Sequence, residues 1–363
     1  MRYLPTSRLT PGMALGQDIY DGAGRLLLGR HILLTEEQIS NLEFLGFPGV
    51  YVDDEFSRGI EIQQIVSPEV RRQALKIVYD LFHTDMRKQE PSEAEFKLRK
   101  TVESVVDDVI CNGDIMCNIM DIKSYDDYIY YHSIHVGILS VVVGARLGLP
   151  HDELCQLAAA ALLHDIGKRF IDHDIVRGGK AHRSEKEQEV YRSHPKIGAE
   201  YLRETCRFSA DVYEGIMEHH ECYNGEGYPL GKKGGEIHLF ARIIRIADCY
   251  DAKVSAFPAQ KSLSPSEALE YVMALGDRWF DPDIVAVFAR KVAAYPIGCE
   301  VELSNGQHAV VARNFENFPL RPLVRVVETG EMLNMRDDEK ARAVTVGTVS
   351  YTHLRAHETS QDL

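Results

Sequence analysis

The 363-residue sequence lacks the features that mark secreted and membrane-spanning proteins. Its seven cysteines are odd in number and form no Cys-x-x-Cys pair, which argues against a disulfide framework or a zinc ribbon and favours a reducing compartment. No apolar run approaches the roughly 18 residues of a membrane span, and the first residues show no apolar signal-peptide core. We therefore expect a cytoplasmic protein that does not bind a membrane.

Positive charge is also scarce. The sequence has 41 Lys and Arg against 55 Asp and Glu, and this net charge of −14 argues against binding to a nucleic-acid duplex. The phosphate-binding loop of kinases, the Gly-x-Ser-x-Gly elbow and the His-Glu-x-x-His helix are all missing, so kinase, serine-hydrolase and metalloprotease functions lack their residues. The remaining composition, 45% hydrophobic and 26% charged, is typical of a soluble globular protein.

The period of the hydrophobic residues changes twice along the chain, which predicts a mainly α fold with small β-rich units at both ends. The turn at 21–24 indicates a hairpin between strands at 14–20 and 25–28, and Thr35 with Gln38 has the spacing of a helix-capping box. The predicted domains are a β-rich N-terminal domain at 1–66, a helical connector at 67–119, an all-helical core at 120–295, a β-rich C-terminal unit at 296–347, and a non-native or disordered tail at 348–363.

Capping residues followed by proline or by acidic residues indicate where helices begin. Such positions occur at Ser67, Ser92, Ser124, Ser264 and Asp281, and we expect a helix to start at each. In the C-terminal unit, strands are predicted at 300–303, 309–313 and 323–327.

Histidines are concentrated in the predicted helical core, where residues 132–238 contain ten of the fifteen. The pair His164-Asp165 follows an apolar helical run, and an imidazole with a neighbouring carboxylate at a helix end can ligate one metal ion or bridge two. Such a pair is common by chance. His132 and His194 lie about thirty residues to either side of it, however, and this repetition favours a metal site.

Two adjacent histidines, His219 and His220, end a further predicted helix. Neighbouring residues on a helix point about 100° apart, so these two side chains can share only ligands that lie between their two directions. That geometry suits a centre with two metal ions. Asp248, on a later helix, adds another candidate ligand.

These residues and their order resemble the HD-GYP domain, a bacterial subgroup of the HD phosphohydrolases. The resemblance covers roughly residues 120–295, and the first sixty-odd residues resemble a small domain often found ahead of it. It implies an all-α fold, a bound pair of iron or manganese ions, and hydrolysis of cyclic di-GMP to pGpG or GMP in second-messenger signalling. The residues that carry it are His164-Asp165 with Lys168, His194-Pro195, His219-His220-Glu221, Gly227-Tyr228-Pro229 and Asp248-Cys249-Tyr250-Asp251-Ala252.

The resemblance also implies a role for each matching residue. One metal ion would be held by His132, His164, Asp165 and Asp248, and the second by His194, His219 and His220, with Asp165 bridging. Such nitrogen and oxygen donors suit iron, manganese or zinc. Lys168 would neutralise phosphate oxygens beside the catalytic Asp165. Asp251 would orient a ligand, Glu221, Gly227, Tyr228 and Pro229 would shape the loop, and Tyr128 stands where a Glu would hold a third metal ion.

Several alternatives remain open. The chain could be a non-catalytic receptor for a cyclic dinucleotide, a module that binds a diguanylate cyclase through the Gly-Tyr-Pro loop, or an HD hydrolase of another phosphate ester. We interpret His135 as a packed or ligand-orienting histidine. The helices predicted at 68–88 and 92–112 could form a homodimer face.

The sequence departs from the family after Asp248, and this departure generates a prediction. Phe257 and Gln260 stand where the family has an Arg and a second basic residue that hold the phosphates. A charge-assisted contact contributes roughly 1.5–3 kcal/mol, so losing two should weaken cyclic di-GMP binding by about tenfold to a thousandfold, unless Lys253 or Lys261 compensates. Calorimetry should show tighter binding for the double variant Phe257→Arg and Gln260→Lys. Submicromolar binding by wild type, unimproved in the variant, would contradict this.

Overall fold

The computed structural model describes residues 1–88, 91–118, 124, 127–178, 183–255 and 262–349. A small β-rich unit leads into a large helical body, and a second β-rich unit follows. The predicted mainly α fold class is therefore confirmed.

The N-terminal unit is built from short strands and one helix. β1, β5 and β2 form an antiparallel sheet in the order β1-β5-β2, and β3 pairs with β4 in a hairpin. The capping box of Thr35 and Gln38 is present. The single strand expected at 14–20 is wrong, because its two ends pair in different sheets. The elements are β1 (Arg2–Pro5), β2 (Ala14–Leu15), β3 (Ile19–Tyr20), β4 (Leu26–Leu28), α1 (Glu36–Phe44) and β5 (Gly49–Asp53).

The helical body follows from residue 68. Its helices are α2 (Pro68–His83), α3 (Pro91–Cys111), α4 (Tyr128–Arg146), α5 (His151–Leu163), α6 (His173–Arg177), α7 (Glu185–Arg192), α8 (His194–Thr205), α9 (Ala210–Glu218), α10 (Leu239–Val254), α11 (Pro265–Ala274) and α12 (Pro282–Lys291).

Helix starts agree with the capping signals at three of the five predicted positions. Ser67, Ser264 and Asp281 occupy the N-cap positions of α2, α11 and α12. The start indicated by Ser92 is two residues late, since a cap at 92 predicts a first helical residue at 93 and α3 begins at proline 91. The start predicted at Ser124 is wrong. Residue 127 is the N-cap of α4, and the Ser124 hydroxyl makes hydrogen bonds with that residue.

α4 is the central helix of the body, and its residues from Tyr131 to Gly144 are buried. Among the described helices it is long and apolar enough to cross a membrane, but 72% of the relevant window is buried inside the protein, as in a core helix. α2 and α3 share one hydrophobic core with α4, α5 and α10, through residues such as Leu75 and Val106. The segment expected to be a connector is thus continuous with the helical core.

The C-terminal unit is an antiparallel sheet in the order β10-β6-β7-β8-β9. It contacts the N-terminal unit, because the Arg2 guanidinium pairs with Glu300 and the Tyr3 amide donates to the Gly298 carbonyl over 2.8 Å. β10 includes residues 348 and 349, which the prediction assigned to the tail, and residues 350–363 of that tail lie outside the described residues. The strands are β6 (Glu300–Leu303), β7 (His308–Arg313), β8 (Leu323–Val326), β9 (Met332–Asn334) and β10 (Val346–Val349).

Candidate metal centre

The side chains predicted as metal ligands converge at one place inside the helical body. They come from the second turn of α4, the end of α5, the start of α8, the end of α9 and the middle of α10. All are buried except His220, which is slightly exposed. The structure therefore brings together His132, His164, Asp165, His194, His219, His220 and Asp248.

Asp165 lies between two groups of imidazoles. Its Oδ1 is 3.2 Å from His194 Nε2 and 3.9 Å from His219 Nε2. Its Oδ2 faces the other way, 3.5 Å from His164 Nε2 and 3.8 Å from His132 Nε2. Each carboxylate oxygen thus serves one group, which is the arrangement that a bridging ligand requires.

Asp248 joins the group on the α4 and α5 side. Its Oδ1 is 3.1 Å from His132 Nε2 and 3.9 Å from His164 Nε2. Its Oδ2 points towards His220 Nδ1 at 3.8 Å and Arg245 Nη1 at 3.7 Å. The carboxylate therefore reaches both groups, with its closest approach to His132.

Three of the histidines are oriented by backbone carbonyls three residues earlier. Nδ1 of His164, His194 and His219 lies 2.7 Å from the carbonyl oxygens of residues 161, 191 and 216, respectively. A carbonyl oxygen only accepts, so Nδ1 carries the hydrogen and Nε2 presents a lone pair. These carbonyls are available because the last turn of a helix leaves them without intrahelical partners.

His132 is oriented by a carboxylate instead. Its Nδ1 lies 2.7 Å from Asp251 Oδ2, and Asp251 Oδ1 lies 2.8 Å from His135 Nδ1. All three side chains are buried. Asp251 therefore fixes the ring of His132 while it also holds His135 against α10, as expected for a ligand-orienting residue.

The donors fit divalent metal ions. Among the described residues, His164 Nε2, Asp165 Oδ1 and His220 Nε2 are buried without a hydrogen-bond partner, a costly state that a metal ion would relieve. Burial lowers the pKa of His164, His219 and His220 and keeps these imidazoles in the neutral form that binds metal.

Lys168 lies at the edge of this centre, on the 3-10 helix Ile166–Phe170. Its Nζ makes an ion pair with Asp165 Oδ2 and sits 5.3 Å from the centre of the Tyr191 ring. Burial opposes its charge, but Asp165 raises the pKa of Lys168 above its usual value. The ammonium group is therefore charged beside the bridging carboxylate.

The loop after His220 folds back on the centre. Oε1 of Glu221 accepts from the amides of Leu230 and Gly231 over 2.6 and 3.1 Å. The Tyr228 ring stacks on His220, with centroids 4.7 Å apart. A Cβ on Gly227 would lie 2.2 Å from the backbone nitrogen of residue 222, so only glycine fits there. Glu221 and Gly227 thus shape the loop, and the peptide Tyr228-Pro229 closes it beside His220.

Sequence reasoning missed Arg245 and Tyr191. Arg245 Nη1 lies 3.7 Å from Asp248 Oδ2, one helical turn earlier on α10. Tyr191 supplies the carbonyl that orients His194, and its ring lies under Lys168. For Arg245 spacing was the available signal, because it precedes Asp248 by three residues and such residues are neighbours on a helix. Tyr191 gave no such signal, since it lies at the end of α7 and His194 begins α8.

Close packing of two backbones holds Asp165 against His194, and it yields a prediction. A Cβ on Gly167 would lie 2.0 Å from the His194 carbonyl oxygen and 2.8 Å from the Gly198 nitrogen. Since both are backbone atoms, Gly167→Ala must push these segments apart and should weaken Mn²⁺ binding about tenfold or more. The matched control is Gly235→Ala, because a Cβ there meets no atom within 4 Å. Calorimetry gives the affinity, and unchanged Mn²⁺ binding in Gly167→Ala would contradict the expectation.

The environment of His132 makes metal binding depend on pH. Burial disfavours the charged imidazole, but hydrogen bonds to Asp248 and Asp251 outweigh it and raise the pKa of His132 to about 9. A cation must displace that proton, so the Mn²⁺ affinity of metal-free protein should rise up to about tenfold per pH unit below this pKa. Calorimetry between roughly pH 7 and 9, run anaerobically, measures this rise.

A variant tests the cause of that pH dependence. Asp251→Asn removes one of the two carboxylates that raise the pKa of His132, so the increase in Mn²⁺ affinity should move to lower pH. Asp281→Asn, which removes another buried carboxylate at the N-cap of α12, should leave it in place. An affinity independent of pH in wild type would show that His132 binds no metal ion.

Comparisons with known proteins agree with this geometry. The chain is 33% identical over 226 residues to cyclic di-GMP phosphodiesterase PA4108 of Pseudomonas aeruginosa, which covers 62% of this chain and 54% of that protein. It is 39% identical over 151 residues to the cyclic di-GMP phosphodiesterase response regulator RpfG of Xanthomonas campestris pv. campestris, with coverages of 41% and 39%. The chain thus spans about half or less of the length of these two curated relatives.

The fold has a counterpart among solved structures. It matches Bd1817, an HDG"Y"P protein from Bdellovibrio bacteriovorus, with a TM-score of 0.50 and 17% identity, over 79% of this chain and 97% of that chain. At this identity the match supports the fold alone.

Residues 118–284 match the model of the HD domain family. The predicted resemblance to HD phosphohydrolases is confirmed over this segment of the chain.

Proposed function

We propose that the chain is a metal-dependent phosphodiesterase that hydrolyses cyclic di-GMP to pGpG or GMP. The observation that carries this proposal is the position of Asp165, whose two oxygens face two separate groups of imidazoles. The names of the two curated relatives, both cyclic di-GMP phosphodiesterases, support the same substrate.

The proposed cofactor is a pair of divalent ions, with iron or manganese favoured by the imidazole and carboxylate donors. When bound, two such ions lower the pKa of a shared water and stabilise charge on phosphoryl oxygens. The first would be held by His132, His164, Asp165 and Asp248, and the second by Asp165, His194, His219 and His220.

The protein's own residues would hold the substrate and balance its charge. A chain of net charge −14 needs a locally positive site to bind a cyclic dinucleotide with two phosphates. Lys168 and Arg245 are the cations beside the cluster, and each is paired with a ligand carboxylate. Once Asp165 shares its charge with metal ions, Lys168 can turn its ammonium group towards the phosphate.

Exposed surfaces support the two proposed partners, a diguanylate cyclase and a second copy of the chain. The Gly-Tyr-Pro loop is the proposed docking site of a diguanylate cyclase. On α3, Phe96 and Ile110 are 67% and 48% exposed, which favours the homodimer face predicted for α2 and α3. The proposed compartment is the cytoplasm.

The second candidate is a receptor that binds a cyclic dinucleotide without hydrolysing it. The observation that favours it is the replacement of two basic family residues by Phe257 and Gln260. Both positions lie outside the described residues, so the prediction of weakened cyclic di-GMP binding, or of a preference for another cyclic dinucleotide or phosphodiester, stays a prediction.

Loss of the bridging carboxylate tests the enzyme. Asp165→Ala should abolish turnover of cyclic di-GMP by metal-loaded protein, because both metal positions share this ligand. Chromatography of the products measures turnover, and circular dichroism checks the helical fold. Asp174→Ala, which removes a fully exposed carboxylate from α6, is the matched control and should retain full activity. Retained turnover in Asp165→Ala would refute the assignment.

Two further predictions concern the lysine beside the centre and the number of bound metal ions, and a binding measurement then separates enzyme from receptor. Lys168→Ala should lower turnover on the order of 10²-fold if the lysine contacts the transition state. Elemental analysis of protein purified anaerobically should give two metal ions per chain. Binding of cyclic di-GMP without any product, in protein that holds both metal ions, would support the receptor instead.

A further inference from the structure

A cavity lies where the N-terminal unit meets the helical body. Its volume of about 530 Å³ falls in the range of small-molecule sites. The polar lining comes from both units and includes Gln17, Asp18, Arg30, Gln64, Arg71 and His135. None of the predicted metal ligands lines this cavity, so it is separate from the metal centre.

Arg71 is the unusual residue of this cavity. Its side chain is half-buried, and its Nε is fully buried without a hydrogen-bond partner among the described residues. An arginine keeps its charge in proteins, and withdrawing part of a guanidinium from water without a partner is costly. The neighbouring Arg72, by contrast, is paired with Glu69. The position of Arg71 therefore calls for an anion that the described part of the chain does not supply.

The rest of the lining narrows the ligand class. Oε1 of Gln64 is also buried without a hydrogen-bond partner and can accept from a ligand. Asp18 already accepts from the Arg30 amide over 2.7 Å and from the Tyr20 hydroxyl over 3.0 Å, so its charge is partly satisfied. Apolar walls from Ile19, Ile62 and Leu75 would cover a carbon skeleton.

We propose that this cavity binds a small organic anion, a carboxylate or a phosphate ester that also carries a hydrogen-bond donor. Arg71 pairs with the anionic group, and Gln64 accepts from the donor. The apolar walls cover the remainder of the molecule. This site is additional to the proposed hydrolysis of cyclic di-GMP and does not depend on it.

The same cavity is connected to the metal centre. His135 lines it, and its Nδ1 lies 2.8 Å from Asp251, which in turn lies 2.7 Å from His132 Nδ1. The Tyr131 hydroxyl donates to the Tyr20 carbonyl over 2.8 Å, which ties the N-terminal hairpin to α4. An occupant that contacts His135 should therefore change the Mn²⁺ affinity of the centre through Asp251.

The binding test uses the metal-loaded full chain and two simple probes, sulfate for the phosphate class and succinate for the carboxylate class. The midpoint of thermal unfolding is compared in 20 mM of each salt and in sodium chloride of equal ionic strength. We expect at least one probe to raise the midpoint of wild type by roughly 1–3 °C more than that of Arg71→Met. Arg87→Met is the matched control, because it removes a charge that is paired with Glu204 and does not line the cavity, and it should respond like wild type.

Two results decide whether the anion site exists, the stability of the variants without a probe and their response to the probes. Without a probe, Arg71→Met should be at least as stable as wild type, because it removes a half-buried guanidinium whose Nε has no partner. Equal responses of wild type, Arg71→Met and Arg87→Met to both probes would overturn the anion site. If Arg71→Met does not fold, Gln64→Leu serves as the second variant and should also weaken the response.

The link to the metal centre has its own readout. The probe that stabilises wild type should change its Mn²⁺ affinity at least about twofold, and Arg71→Met should show no change. An unchanged affinity in wild type would overturn the link. Neither measurement uses turnover, so a failure of the proposed phosphodiesterase activity would be seen separately, as intact anion binding without product.

Discussion

The architecture of the centre depends on the burial of one carboxylate, that of Asp165. A buried carboxylate is costly unless cations or hydrogen-bond donors surround it. Burial opposes ionisation here, but the Lys168 ammonium group outweighs it and holds the pKa of Asp165 well below its usual value. Elements that are far apart in sequence must therefore meet at this point, and their convergence sets the packing of the helical body.

Histidines at helix ends place their imidazoles around this carboxylate. A histidine at a helix end can donate to a carbonyl that has no partner within the helix, and its other nitrogen is then aimed by the backbone. His164 and His219 use this device at the ends of α5 and α9, and His194 uses the end of α7. Because each ring is fixed by backbone atoms, the geometry of the centre persists as long as the helices stay packed. The backbone contact at Gly167 shows how little room that packing leaves.

The ligand set was predictable because residue type, order and spacing along the chain carry it. The geometry of these ligands was not predictable, since the hydrogen bonds that His132 and His135 donate to Asp251 exist only when α10 packs on α4. Local competition explains the start of α4, because the Ser124 hydroxyl pairs with the residue that caps the helix. The merging of the predicted connector with the core likewise depends on tertiary packing. Periodicity identifies the apolar face of a helix but does not show which neighbour covers it.

The cavity at Arg71 is the feature that the sequence could least predict. Its walls come from two units of the chain, and no sequence pattern indicates that Nε of Arg71 lacks a partner. A half-buried guanidinium whose Nε has no partner costs stability, and a packed apolar side chain would be more favourable. Its retention in a lined cavity is explained if the cost is recovered on binding. The hydrogen bonds that orient His132 begin at the wall of this cavity. The same network can therefore hold a metal ligand in place and respond to what lies behind it.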